Sequence, residues 1–124
     1  ADLATILRKA YLSAKIAHAL RDLGRAPDAE RFARRSLEMS EGYDRGRLFN
    51  TALLASILAD QAKVEEATSY ATVAVQMSKN IRSARTIAYL RDTGQHLLPY
   101  KKHATVQTVF RQMKVSGVSV QRTL

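Results

Sequence analysis

The stretch AYLSAKIAHALRDLGRAPDAERFARRSLEMS (residues 10–40) and the stretch LFNTALLASILADQAKVEEATSYATVAVQMS (residues 48–78) align without a gap, 38 residues apart. They share Ala14/Ala52, Ala17/Ala55, Leu20/Leu58, Asp22/Asp60, Ala29/Ala67, Ala33/Ala71, Met39/Met77 and Ser40/Ser78. Most matches are small or apolar and fall at helical spacing, as helices need where their backbones approach closely. A self-similarity of this period marks stacked helical units, each burying an apolar face on its neighbour. Proteins built this way bind partners more often than they carry out chemistry.

Working outward, the spacing predicts six helices. The first runs from about residue 3 to Leu23, with Asp2 as N-cap, Gly24 as its stop, and an apolar stripe of Leu3, Ile6, Leu7, Ala10, Ala14, Ala17 and Leu20. Pro27 suits the first turn of the second helix, which ends near Ser40. A third begins near Asp44 and a fourth near Val64, where Glu65 and Glu66 favour the positive helix end. The fifth, capped by Asn80 or Ser83, is expected to reach about Leu98, where Pro99 stops it. The sixth shows the stripe Val106, Val109, Phe110, Met113 and ends before Gly117. The expected fold is all-α: three antiparallel helix pairs in one domain over residues 1–115, with repeats at 10–40 and 48–78 and a capping hairpin at 82–114. Residues 116–124 are expected to form a flexible C-terminal tail.

Composition fits one such domain. With 124 residues, 46% apolar, five Gly and two Pro, the chain is long enough for a single core and favours helix over disorder. It has no Cys, so neither a disulfide framework nor a thiolate zinc site is available, and a reducing, cytoplasmic setting is expected. No apolar run approaches a bilayer span and no signal-peptide pattern opens the chain, so no membrane association is expected; because the first residue is Ala, a fragment or processed product is expected. Charge is lopsided. Residues 1–78 carry 11 Lys/Arg against 10 Asp/Glu, whereas residues 79–124 carry nine against one, Asp92. Such a basic end attracts nucleic acid, acidic protein surfaces or anionic ligands, or simply stays solvated.

The repeated pair resembles the tetratricopeptide repeat. Ile16 and Leu54 stand at the Leu place of that pattern, Ala17 and Ala55 at the small residue after it, Leu20 and Leu58 at the Tyr place, and Ala29 and Ala67 at the second-helix Ala. The departures are Ser13 and Thr51 at the bulky first position, Glu41 and Lys79 at the final Pro, and a period four residues longer. The segment from Met77 to Arg85, then Tyr89-Leu90 and Leu97 to Tyr100, looks like the C-terminal end of actinobacterial helix-turn-helix regulators with a tetratricopeptide sensor domain. The resemblance implies a tetratricopeptide-like α-solenoid serving as the sensor or oligomerisation half of a transcriptional regulator. The phage-repressor-type DNA-binding domain that precedes the repeats in that family is missing from this chain.

In such repeats the groove follows the first helix of each pair. The expected partner-binding positions are Tyr11, Ala14, His18, Arg21 and Asp22, then Phe49, Ala52, Ser56, Ala59 and Asp60. Tyr11 and Phe49 occupy equivalent places and offer rings to an apolar side chain, or else pack between neighbouring helices. Ala14 and Ala52 stand where some members keep basic residues that clamp a C-terminal carboxylate, which disfavours a chaperone-tail adaptor. Arg82, Arg85 and Tyr89, at i, i+3 and i+7, are expected on one helix face, where two guanidinium groups beside a phenol suit a carboxylate or phosphate. The structural alternative has these arginines bonding the exposed carbonyls at the end of the fourth helix or pairing with Asp60 or Glu66. His18, His96 and His103 are read as isolated side chains rather than a metal set, and neither a cofactor motif nor an active site is found. The expected function is regulatory: binding of a peptide or protein partner, with a homodimer allowed. The competing expectations are nucleic-acid binding by the basic third and a purely structural dimerisation module.

Overall fold

A computed structural model describes residues 2–120. Among them the elements are α1 (Leu3–Asp22), α2 (Ala26–Met39), α3 (Asp44–Asp60), α4 (Val64–Ser78), α5 (Ala84–Leu97), a 3₁₀ turn (Leu98–Tyr100) and α6 (Ala104–Val115). The described residues contain no strand, so the all-α expectation holds. The Asp2 carboxylate accepts the Thr5 amide at 2.8 Å and caps α1. Pro27 lies in the first turn of α2, and Ser83 rather than Asn80 caps α5 through the Thr86 amide.

α1 packs on α2, α2 on α3, and α3 on α4; α5 then lies on α3, and α6 on α4. Contact between α5 and α6 themselves is slight, so the expected capping hairpin is held mainly by the helices beneath it. The centre of the molecule is α3, buried from Leu48 through Ala59. Leu48, Leu54, Ile57 and Leu58 are fully buried there, each worth about 1.5–3 kcal/mol relative to an exposed side chain. The shared small residues do what their spacing predicts: Ala17, Ala55, Ala29, Ala67, Ala33 and Ala71 are all 0% exposed, which lets helix backbones close on one another.

The turns repeat as well. After α1 the Arg25 amide donates to the Leu20 carbonyl and the Gly24 amide to Arg21; after α3 the Lys63 amide donates to Leu58 and the Ala62 amide to Ala59. Both are Schellman turns, with Gly24 (φ +78°) and Ala62 (φ +61°) at the same left-handed position. A third follows α6, where Val118 donates to Met113 and Gly117 to Lys114. This motif corrects the expected tail. Residues 116–120 pack back on the domain: Val118 is buried, the Ser116 carbonyl accepts from Arg82, and Val120 lies so close to Gly94 that a side chain there would strike it. Residues 121–124 lie outside the described residues.

Candidate binding groove

α1, α3 and α5 together line one face of the molecule. Tyr11, Phe49, Arg85 and Tyr89 gather at one end of it, while Arg21, Ser56 and Asp92 meet at the other. All three helices therefore run in the same direction along this face.

The first end is aromatic and cationic. The rings of Phe49 and Tyr89 stack with centroids 4.5 Å apart and planes 14° from parallel. The Arg85 guanidinium lies 4.9 Å from the Phe49 centroid and 6.0 Å from that of Tyr89, and Lys15 Nζ sits 5.5 Å over Tyr11. These side chains, with His18, Asn50 and Leu53, line a cavity of about 190 Å³ that contains no carboxylate in its wall. Neither Arg85 nor Lys15 has an ion-pair partner among the described residues.

The second end is a charged network. Arg21, its side chain 3% exposed, donates to Ser56 Oγ at 2.9 Å and to Asp92 at 2.6 and 3.4 Å, and its Nε reaches Asp22 at 3.0 Å. Burial opposes the Arg21 charge, but the hydrogen bonds and charge of Asp92, and then Asp22, outweigh it and raise its pKa further. His96 Nδ1 lies 2.7 Å from Asp60, and His96 Nε2 lies 3.8 Å from Asp92. Thr93 Oγ1 donates to the Ala52 carbonyl and ties α5 down on α3. No three His, Asp or Glu side chains among the described residues are placed to hold a metal ion.

Of the expected groove residues, Tyr11, His18 and Phe49 line the cavity together with Arg85 and Tyr89. Arg21 and Ser56 do not face a ligand: both are buried beneath α5, joined to each other and to Asp92. Ala52 and Ala59 are buried as well, because α5 covers that stretch of α3. Asp22 and Asp60 remain at the surface, paired with Arg21 and His96. The equivalent rings part company, with Tyr11 55% exposed and Phe49 9% exposed in its stack on Tyr89.

The shared face of Arg82, Arg85 and Tyr89 is a correction. Helix α5 starts only at Ala84, and Ser83 is extended (φ −159°), so Arg82 precedes the helix. It turns toward the end of α6 and donates to the Ser116 carbonyl, while Arg85 and Tyr89 enter the cavity. Helix-end bonding thus applies to Arg82, but its carbonyl belongs to α6 and not α4. Glu66 pairs instead with Arg34. His18 and His96 are also less isolated than expected, each lying 3.8 Å from a carboxylate one helical turn away, Asp22 and Asp92.

Sequence reasoning missed Asp92 and His96. The available signal was Asp92 itself, the lone acid in a strongly basic third, with a histidine four residues later. No family model matches the chain, and no curated protein or solved structure matches it either.

Proposed function

We propose that this chain is a tetratricopeptide-like α-solenoid whose α1–α3–α5 face binds a peptide or protein segment, as the sensor half of a transcriptional regulator. The observation that carries this reading is the carboxylate-free cavity where Tyr11, Phe49 and Tyr89 meet two unpaired cations, Lys15 and Arg85. An extended segment would set an apolar side chain against the rings and a carboxylate near Arg85. The Arg21–Asp92 network beneath keeps the three helices in register. Signalling then follows from tighter binding to one packing arrangement of the helices than to another.

Calorimetric titration with short peptides carrying an apolar residue beside an acidic one tests the reading. Tyr11→Ala is expected to weaken binding by roughly tenfold, or about 1.4 kcal/mol, without lowering the melting temperature, because Tyr11 is largely exposed. Binding that is indifferent to Tyr11→Ala and Arg85→Gln alike would place the working surface elsewhere. A second reading, nucleic-acid binding by the basic third, is favoured by the open depression around Lys101, Arg111 and Lys114. It requires a gel shift that weakens steeply with salt.

A further inference from the structure

Seven large apolar side chains are exposed among the described residues, and five of them, Leu3, Tyr11, Leu12, Ile16 and Leu23, belong to α1 or its C-cap. Tyr11 faces the groove. Leu12, Ile16 and Leu23 lie on a different face, in register with Thr5, Lys9 and Ala19, alternating steps of four and three residues. That is the spacing of a helix seam that packs against another helix.

The internal repeat shows how this molecule uses such a seam. The equivalent positions on α3 are Arg47, Asn50, Leu54, Ile57 and Gln61. Arg47 donates to the Leu37 carbonyl at 3.1 Å, Asn50 to Ser40 Oγ at 3.3 Å, and Gln61 to Glu30 at 2.8 Å. The α3 seam is thus pressed onto α2, and its Leu54 and Ile57 are fully buried. On α1 the same seam is bare: Leu12 is 51%, Ile16 43% and Leu23 73% exposed.

At the opposite end of the molecule no row of apolar side chains answers it: beyond α1 and its C-cap, the only large apolar side chains exposed among the described residues are Val73 on α4 and Val115 on α6, one per helix. There residues 116–120 fold over α5, burying Val118 and setting Val120 on Gly94. The surface in a second copy that fits the α1 seam is the α1 seam. Its positions 5, 9, 12, 16, 19 and 23 are symmetric about residue 14, so an antiparallel partner lays it upon itself. Leu12 then meets Ile16 of the second copy, and Lys9 meets Ala19. The two Lys9 positions are offset by about 15 Å along the axis, ten residues at the helical rise. A parallel pairing would instead set Lys9 against Lys9.

We propose that two copies of this chain dimerise through α1, antiparallel, about a two-fold axis at the level of residue 14, leaving the groove open. Sedimentation equilibrium of the wild-type chain is expected to give twice its 13.8 kDa mass at micromolar to submillimolar concentration. Ile16→Glu is expected to return the monomer mass with unchanged helical circular dichroism, since Ile16 already meets solvent, and with a melting temperature that no longer rises with protein concentration. The chain has no Cys, so single spin labels report the register. The backbones at Lys9→Cys should lie about 17 Å apart and those at Leu23→Cys about 28 Å apart, the axial offset combined with the spacing of packed helices. A wild-type monomer across that range, a dimer that survives Ile16→Glu, or a dimer lost with Val115→Glu instead would each overturn the proposal. So would label separations that are the same at both sites.

Discussion

α1 and α3 are the same helix written twice, yet they live in different surroundings. Ile16 and Leu54 are equivalent by the 38-residue repeat, but Ile16 is 43% exposed and Leu54 is 0% exposed. Helix α3 has α2 and α4 at its sides and α5 across it, whereas α1 has α2 and one flank of α3. Arg21, which bridges to α5 through Asp92, stands where the second repeat has Ala59. The difference teaches that a repeat specifies the shape of a helical pair, while its place in the row decides which of its apolar stripes is covered.

The sharpest test of this difference is a paired truncation. Leu54→Ala should cost about 2–5 kcal/mol in denaturant unfolding, from lost transfer energy and the cavity left behind. Ile16→Ala, its counterpart, should cost under about 0.5 kcal/mol in the monomer. Similar losses at both sites would erase the distinction.

A smaller effect is expected from making the first repeat resemble the second at the Arg21 position. Arg21→Ala should cost about 2 kcal/mol, less than the roughly 3–5 kcal/mol of a fully buried broken pair. The reason is that Asp92 and Asp22, 39% and 58% exposed, can turn to water. Chemical denaturation reads this loss, and Arg21→Met, which keeps most of the volume, should recover part of it.

Acid should strain the seam between the repeats. Burial pushes the Glu30 carboxyl up, but hydrogen bonds from Arg34, Lys63 and Gln61, with the Arg34 charge, hold it down at about 2 against an ordinary 4.5. Glu30 thus binds its proton more readily in the unfolded chain. Its stabilisation is complete above pH 4.5 and is lost as pH falls toward about 2. Melting temperature should drop by a few degrees through that window, and Glu30→Gln should flatten this part of the profile while lowering stability at neutral pH. The comparison with the variant isolates the Glu30 contribution.

The smallest prediction concerns the shared turn. Ala62 holds a left-handed backbone (φ +61°) where the first repeat has Gly24. Ala62→Gly should therefore stabilise the protein by about 0.5 kcal/mol, and Gly24→Ala should destabilise it by about 1 kcal/mol. Thermal unfolding of the two single variants gives opposite shifts if the turns are equivalent.

Much of the fold was legible because its signals are local. Asp2, Asp44, Val64 and Ser83 mark helix starts through capping and charge, and Val106, Val109, Phe110 and Met113 form a stripe that is buried as its spacing predicts. The site was legible only in part. Tyr11, His18 and Phe49 were found from the repeat, and Arg85 and Tyr89 from their spacing. Arg82 failed because one extended residue, Ser83, breaks the helical register on which the shared face depended. The Arg21–Asp92 pair spans 71 residues and joins helices with no direct sequence connection, so no local pattern announces it. The packed segment 116–120 depends on Gly117 turning the chain so that Val118 reaches Met113, and an apolar residue beyond a helix end carries no such instruction alone.

What the sequence by itself determined is the set of six helices, the duplication, and the small residues that let paired backbones close. Periodicity and capping act within a few residues, and they do not depend on what lies beside the helix. Whether a helix has its second apolar stripe covered as well was decided only by tertiary structure. Covering a stripe requires a second element brought from far along the chain, and α1 and α3 carry nearly the same pattern with opposite outcomes.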